Sequence, residues 1–250
     1  MSLAYTSFAW DTATTANASG DVTSTSRTYN SGEMVVANYC AADNANAGNL
    51  SIQNSGTAQT WVPIGAPTNA GSDVKVAAWY CIMSLTQAMT VTVLGDAAGN
   101  TIEGAICIVV HTGQHATTPV PAGNVFSNDT TPVGSTSQAI TPTSSGSCLW
   151  MMSGDWAAGN TFAPVANCST ERTNQNAAQQ TVTLIRPTTQ PRPDANSFTI
   201  GYTVTGTATA FLAYEIQAAA GGGGGSMIDD SANEWNPLEA QTNPLLVAVW

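Results

Sequence analysis

Short apolar runs alternate with polar breaks along residues 1 to about 219. The runs are rich in Val, Ile, Thr and aromatic residues, and clusters of Gly, Asn, Pro and Ser separate them, which is the pattern of β-strands and turns. No segment has a long apolar stripe at the 3.6-residue period of a helix. The pattern predicts an all-β chain folded as an antiparallel sandwich or barrel. The predicted strands are Tyr5–Trp10, Glu33–Cys40, Leu50–Ile52, Gln59–Ile64, Val74–Met83, Met89–Leu94, Ala105–His111, Cys148–Met152, Thr161–Val165, Thr181–Arg186, Ser197–Thr205 and Ala210–Gln217.

The chain also contains an internal repeat. Thr60–Gly65 and Thr161–Ala166 share the pattern Thr, aromatic, any residue, Pro, β-branched, small. The strands around both segments follow in the same order, so that each half, about residues 1–115 and 140–219, would supply about four strands. We expect the halves to face each other in one two-sheet sandwich with a shared core. The alternative is that β-rich segments use the same turn residues by chance.

Proline and Asp-Gly-Asn segments indicate where strands end or lie at an edge. Pro63 and Pro164 cannot donate a backbone hydrogen bond, so we expect their strands at sheet edges or at bulges. A second echo places Asp96 and Asp155 each among Gly and Asn residues, which suit hairpin turns. Calcium binding is the alternative for these loops, although each offers one carboxylate.

Charged side chains are few. The chain has 5 Lys or Arg and 16 Asp or Glu among 250 residues, which is 8%, against about 25% in an average soluble protein. The formal net charge is -11. So few cations cannot follow a phosphate backbone, and anionic lipids repel an acidic chain, so we expect no nucleic-acid and no membrane partner. With 43% hydrophobic residues, the chain can bury a substantial core.

We expect the protein to be made in a reducing cytoplasm. Residues 1–8 have neither the basic nor the apolar region of a secretory signal. The longest purely apolar run, Ala105–Val110, is far shorter than the about 20 residues of a membrane-spanning helix. The five cysteines form no C-x-x-C motif and are predicted to be free core thiols.

Little in the sequence resembles a catalytic motif. The two histidines, His111 and His115, are four residues apart, but the segment between them begins where a predicted strand ends and contains glycine, and no Cys or carboxylate lies close enough in sequence to complete a metal site. We therefore expect them to be turn residues. Neither a G-x-S-x-G elbow nor a phosphate-binding glycine loop is present. We expect no catalytic residue, no metal and no cofactor.

The C-terminal region differs in composition from the rest. Residues 220–226 form a Gly-rich linker, and residues 227–250, the C-terminal tail, end in an apolar run. Burying that run would contribute roughly 8–15 kcal/mol, about what ordering it costs, so it also needs backbone hydrogen bonds such as those of a strand added to a sheet edge. We expect the tail to dock on another subunit; the alternative is a strand that completes its own sandwich. The predicted partner-binding residues are Trp235, Leu238, Leu245, Leu246, Val247, Val249 and Trp250.

The order of segments in residues 1–219 resembles a known family of β-sandwiches. The segments are Glu33–Ala37, Thr60–Gly65, Val74–Tyr80, Met89–Val93 and Ala105–Val110. They are similar to the jelly-roll-like modules of tailed-bacteriophage virion structural proteins, and the second half resembles the return path of the same module. The resemblance implies a structural or adhesive role with no active site. We therefore expect a non-enzymatic virion protein, made in the host cytoplasm, most simply a capsid decoration or cement subunit. Its partners would be itself, as a homo-oligomer, or other virion proteins such as a major capsid or tail protein.

A second function is carbohydrate or host-surface binding, as a module of a phage tail or a bacterial surface protein. Tryptophans in this chain could form a platform that stacks on sugar rings, although such rings in strands more often pack in a core. Trp61 and Trp156 are the candidate ligand-binding aromatics.

Overall fold

The computed structural model describes residues 3–12, 21–42, 50–70, 74–94, 103–128, 134–155, 161–176, 180–204 and 209–219. Within these ranges the chain forms strands, with one 3₁₀ turn at Ala122–Asn124. The strands are β1 (Ala4–Ser7), β2 (Asp11–Thr12), β3 (Val22–Thr23), β4 (Arg27–Tyr29), β5 (Met34–Ala42), β6 (Ser51–Asn54), β7 (Val62–Pro63), β8 (Thr68–Ala70), β9 (Val74–Ile82), β10 (Gln87–Met89), β11 (Val91–Leu94), β12 (Glu103–Thr112), β13 (Val125–Ser127), β14 (Thr136–Ile140), β15 (Cys148–Asp155), β16 (Phe162–Pro164), β17 (Cys168–Asn176), β18 (Gln180–Pro187), β19 (Phe198–Val204) and β20 (Thr209–Ile216). The predicted all-β antiparallel fold is confirmed.

Strands β1 to β12 form the first sandwich. Its large sheet has the order β1-β12-β5-β9-β7, with β2 also beside β12 and β8 also beside β9. Two small sheets, β3-β11-β6 and β4-β10, complete it. Because successive residues of a strand point to opposite faces, β9 directs Ala77, Trp79 and Cys81 into a core that also includes Met89 and Val91 of the small sheets. This is the outer core of the first sandwich.

Strands β13 to β20 form the second sandwich. Its large sheet has the order β13-β20-β15-β18-β17, and its small sheet has the order β14-β19-β16. Leu149 and Met151 of β15 pack with Ile140, Ile200 and Tyr202 of the small sheet. This is the outer core of the second sandwich.

Both sandwiches have the same jelly-roll-like winding. When adjoining short strands are counted as one (β1 with β2, β3 with β4, β7 with β8, β10 with β11), each has eight strands in the pairing order 1-8-3-6-5 and 2-7-4. In a jelly roll the chain likewise winds so that early strands pair with late ones. The predicted similarity of the two halves is therefore seen in the pairing. Each half brings a small sheet of its own, so the structure has four layers where one two-sheet sandwich was expected.

The two large sheets face each other and enclose the inter-sandwich core. It is built from residues such as Val36 and Cys40 of the first sandwich and Trp150, Met152 and Leu212 of the second. The central strands are consequently buried on both faces, and every residue of β15 and of β20 is buried. This explains why these strands are continuous apolar runs rather than alternating apolar and polar residues.

Contacts between the sandwiches show that the large sheets stack in reversed strand order. Ser7 of β1 contacts Glu171 and Arg172 of β17. At the opposite edge, Gly65, which follows β7, lies against Val125 of β13. The first strand of each sandwich (β1 or β13) thus meets the fifth strand of the other (β17 or β7) when the strands are counted as above. This reciprocal contact pattern is that of an isologous interface, here within one chain.

Some local predictions are confirmed and others are wrong. Pro63 and Pro164 do lie on edge strands, β7 and β16, but in a large sheet and a small sheet respectively. Gly154 and Asp155 were predicted to form a turn, yet both belong to β15 and are buried, because the strand extends between two neighbours to its end. Asp96 lies outside the described residues.

Candidate functional site

The predicted partner-binding and ligand-binding residues fall into two groups. Trp156 lies outside the described residues, as do the Gly-rich linker and the C-terminal tail with all seven of its predicted contact residues. Trp61 is described, and it precedes β7 at the edge of the first large sheet. Trp61 is therefore the predicted site residue whose surroundings can be described.

Trp61 is anchored rather than freely displayed. It is half-buried, and its ring packs against the outer core of the first sandwich together with Phe8 and Ile52. The indole Nε1–H donates to Asn54 Oδ1 at 3.2 Å. Since packing and this hydrogen bond hold the ring, Trp61 fixes the position of the segment that leads into β7.

A network of side-chain amides holds the same segment. Asn54 Nδ2 donates to the carbonyl oxygen of Thr57 at 2.9 Å, and Gln87 Oε1 accepts from the Thr57 N–H at 2.9 Å. Gln59 Oε1 accepts from the N–H of Ser84 at 3.1 Å. These bonds connect residues 54–61 to the turn between β9 and β10, so that both present a defined surface.

Three large apolar side chains are exposed beside this network. They are Val62 (38% exposed), Ile82 (38%) and Leu85 (37%), and no other large apolar side chain among the described residues is as exposed. Val62 pairs directly with half-buried Tyr80, and Tyr80 and Ile82 are two residues apart on β9, so Val62, Tyr80 and Ile82 share one face of the sheet, and Leu85 follows in the turn after β9. We call Val62, Ile82 and Leu85 the exposed patch. Sequence analysis missed it because these residues occupy ordinary strand and turn positions.

The described chain ends at the same end of the molecule as the exposed patch. The Ala219 N–H donates to the carbonyl oxygen of Gly113 at 2.9 Å, and Ala218 forms a bridge with Gln114. Gln114 Nε2 donates to the Gly32 carbonyl at 2.9 Å, and the Gly32 N–H donates to the carbonyl of Met83, next to Ile82, at 2.8 Å. Ala219, the last described residue, is thus connected through Gly113, Gln114 and Gly32 to the turn that follows Ile82.

Charged side chains in the described part are used for structure. Glu171 accepts hydrogen bonds from Ser7 of the other sandwich and from Arg186. Burial opposes its ionisation, but the hydrogen bonds from Ser7 and Arg186 outweigh it and lower the pKa of the Glu171 carboxyl. Arg172 donates to the Ser7 carbonyl at 2.7 Å. This cluster joins the edges of the two large sheets.

Glu215 is a second carboxylate with a structural position. It is fully buried on β20 and accepts from the Thr143 N–H at 2.9 Å, from the Thr143 hydroxyl at 3.0 Å and from Asn124 Nδ2. A buried carboxylate that is bound by several donors holds the segments from which those donors come. Glu215 thus ties the 3₁₀ turn and the end of β14 to the second large sheet.

The predicted free core thiols are observed, and burial makes them poor nucleophiles. All five cysteines are free and buried. Burial raises the pKa of the Cys81 and Cys107 thiols to about 12 and also raises those of Cys148 and Cys168. At neutral pH these groups are thiols rather than thiolates.

The histidines do not lie together in a turn. His111 belongs to β12 and is fully buried, because it faces the inter-sandwich core. His115 lies beyond the strand, and its Nδ1 accepts from the Thr118 N–H at 3.1 Å. The prediction that both are turn residues is wrong for His111. Among the residues that the structure describes, no three His, Cys, Asp or Glu side chains are grouped as metal ligands.

An open depression lies on the small sheet of the second sandwich. Its volume is about 350 Å³, and Ser135, Thr136, Ser137 and Thr203 supply most of its polar lining. Tyr202 also lines it, but its side chain is buried and its hydroxyl is 2.9 Å from Thr209 Oγ1. The ring of Tyr202 is therefore not presented for stacking on a ligand.

In the described ranges no helix has the length and apolar character needed to cross a bilayer. Comparisons of the chain with protein-family models, with curated proteins and with solved structures gave no significant match.

Proposed function

We propose that this chain is a non-enzymatic structural subunit of a virion, of the capsid-decoration type. It assembles with copies of itself or with other virion proteins through the C-terminal tail and the exposed patch. The observation that most supports assembly is that the exposed patch and Ala219, after which the sequence continues to its apolar tail, lie at the same end of the molecule. The virion setting rests on the resemblance of residues 1–219 to phage sandwich modules.

The chemistry of the exposed patch suits a protein partner. Val62, Ile82 and Leu85 are aliphatic, and the half-buried ring of Tyr80, which pairs with Val62, is packed against the inter-sandwich core. Protein interfaces combine an apolar, well-packed centre with a polar rim, and the amide network of residues 54–61 supplies such a rim. Side chains that are already ordered lose little entropy when a partner binds.

The distribution of charge also supports a packing role. Only 8% of the residues are charged, so few charges need to lose water when surfaces meet in a particle. Glu171 and Glu215 are engaged in hydrogen bonds within the fold.

The tail and the patch can be tested separately in the virus that encodes the chain. The full chain, a chain ending at Ala219 and the variants V62D and I82D are produced during particle assembly, and each is counted in purified particles by mass spectrometry. T203D is the matched control, because Thr203 is exposed on the other sandwich. We expect the truncated chain and the patch variants to be incorporated at least about tenfold less than the full chain, and T203D to be unchanged, since each lost apolar contact is worth about 1.4 kcal/mol or more.

Three outcomes would contradict the proposal. Circular dichroism first establishes that each variant is folded. Full incorporation of the truncated chain would remove the role of the tail, and full incorporation of V62D and I82D would remove that of the exposed patch. A full chain that self-associates but is missing from purified particles would show that the virion setting is wrong.

Carbohydrate binding is the second candidate, favoured by the hydroxyl-lined depression. Binding on a glycan array that T203D abolishes and V62D leaves intact would support it over the assembly role. Loss of glycan binding in W61A alone would instead place the ligand at the edge of the first sandwich.

A further inference from the structure

His111 occupies an unusual position for an ionisable group. It lies on β12 with Cys107 and Val109 on the same face, so its side chain enters the inter-sandwich core, where it is fully buried. Neither Nδ1 nor Nε2 has a hydrogen-bond partner within the described part of the chain, and neither does Nε1 of the adjacent Trp150. Buried polar atoms are normally paired, so these exceptions need an explanation.

The aromatic surroundings of His111 come from both sandwiches. Its ring centroid is 5.8 Å from that of Trp150, in an edge-on arrangement, and 6.1 Å from that of Tyr5. Tyr5 and Trp150 are themselves 4.9 Å apart and T-shaped. Since Trp150 belongs to β15 and Tyr5 to β1, the imidazole lies at the joint between the two large sheets.

The ionisable groups around this cluster do not favour an imidazolium. From β18, the Arg186 guanidinium lies 6.0 Å from the Tyr5 ring centroid, and from β17, Glu171 is bound to that same guanidinium. Cys148 of β15 is a buried thiol with a raised pKa, and burial with Glu171 raises the pKa of Tyr5. From β5, the residue that pairs with His111 is the apolar Met34.

We propose that His111 makes the joint between the two sandwiches acid-sensitive. When the imidazole gains a proton, the charged ring cannot remain in the inter-sandwich core, and the large sheets separate at this end. Each sandwich retains its own outer core, which does not include His111, so the joint opens before either sandwich unfolds. This acid sensitivity does not depend on the proposed virion role.

The direction of the pH effect follows from linkage. Burial lowers the pKa of His111 to about 3, whereas an exposed histidine has a pKa of about 6.5. Between these values the open state binds one more proton than the closed state. The open population therefore rises about tenfold for each pH unit below 6.5 and stops rising near pH 3.

The positions of the cysteines allow joint opening to be distinguished from global unfolding. Cys40, Cys107 and Cys148 lie in the inter-sandwich core, whereas Cys81 and Cys168 lie in the two outer cores. A pyridyl disulfide reacts with exposed thiols even in acid, and peptide mass spectrometry identifies which residue is labelled. The labelling rate at each cysteine then reports the opening of one core.

The experiment compares the full chain with H111F, H111L and the control H115N between pH 7.5 and 4.5. The chain has two histidines, so H115N removes the other imidazole while keeping a side-chain acceptor. In the unaltered chain and in H115N, we expect labelling of Cys107 and Cys148 to accelerate about 50-fold between pH 6.5 and 4.5, relative to H111F at the same pH. Cys81 and Cys168 should stay protected over this range.

Two results would overturn the proposal. One is the same acid acceleration in both His111 variants as in the unaltered chain. The other is simultaneous labelling of all five cysteines, which would mean that acid unfolds the whole protein rather than opening the joint. Near-UV circular dichroism at pH 7.5 selects whichever of H111F and H111L packs correctly, so that failure of one variant leaves the comparison intact.

Discussion

Gly154 determines how closely the two large sheets approach each other. It lies on β15 and pairs with Val182 and Ala210. A methyl group at this position would overlap Cys40 Sγ and come within 3.2 Å of a methyl group of Val74, both in the inter-sandwich core. We therefore expect Gly154→Ala to destabilise the joint between the sandwiches.

The magnitude follows from the packing around this site. Overpacking a filled core costs about 1–3 kcal/mol. Replacing glycine with alanine also restricts the unfolded chain, which offsets about 0.4–1 kcal/mol. For a chain of this size each kcal/mol lowers the melting temperature by about 2–4 °C. Because the overlap with Cys40 Sγ is severe, the upper part of the overpacking range, about 2–3 kcal/mol, applies, and the net cost is about 1–2.6 kcal/mol. Gly154→Ala should thus lower the melting temperature by about 2–10 °C in circular dichroism, and urea unfolding measures the loss of free energy itself.

Two further variants isolate the overlap. Gly123→Ala is the matched control, because an added methyl group there meets no atom within 4 Å. In Cys40→Ala the sulfur is gone and the remaining Cβ is 3.7 Å from the added methyl group, an ordinary contact. The double variant G154A/C40A should therefore lose less free energy of unfolding than the sum of the losses in the two single variants. If Gly154→Ala were as stable as Gly123→Ala, the predicted overlap with Cys40 would be wrong. Strictly additive effects of G154A and C40A would contradict it as well.

Two other buried polar contacts lead to predictions of similar kind. The Tyr214 hydroxyl donates to Asn38 Oδ1 at 2.7 Å across the inter-sandwich core. Y214F leaves this buried acceptor unpaired and should lower the free energy of unfolding in urea by about 1–3 kcal/mol. Y80F, at a half-buried ring, is the control and should lower it little. Replacing Glu215 with Gln places an amide donor against the donors of Thr143 and should cost about 1.5–3 kcal/mol at pH 7, again by urea unfolding. An unchanged midpoint in E215Q would show that the carboxylate is not needed to hold these segments.

Strand prediction from the sequence succeeded where burial was strong. All twelve predicted strands overlap observed ones, and the central strands β5, β9, β12, β15 and β20 lie within or close to the predicted bounds. The main omission is β17, whose residues Cys168–Asn176 are almost entirely polar. It lies at the outer edge of a large sheet, where one side is in solvent and backbone pairing with β18 replaces apolar burial as the stabilising interaction.

The candidate site was only partly predictable. The tail is conspicuous in the sequence because its last residues are apolar and follow a run of glycines. The exposed patch has no such signal, since Val62 and Ile82 resemble core residues until the sheet order places them at an edge and an end. His111 was misjudged because the glycine that follows it indicates a turn, whereas pairing with β1 and β5 keeps it inside the strand.

The all-β class, the matching order of strands in the two halves and the small number of charged residues follow from local periodicity and composition, so they can be read from the sequence. Long-range packing, in contrast, gives each half its own small sheet, stacks the large sheets in reversed order and brings Gly154 and His111 against the opposite sandwich. An apolar strand shows in its sequence that both of its faces are buried, but the opposite sandwich that covers its inner face lies 100 or more residues away and is selected by the packing of the whole chain.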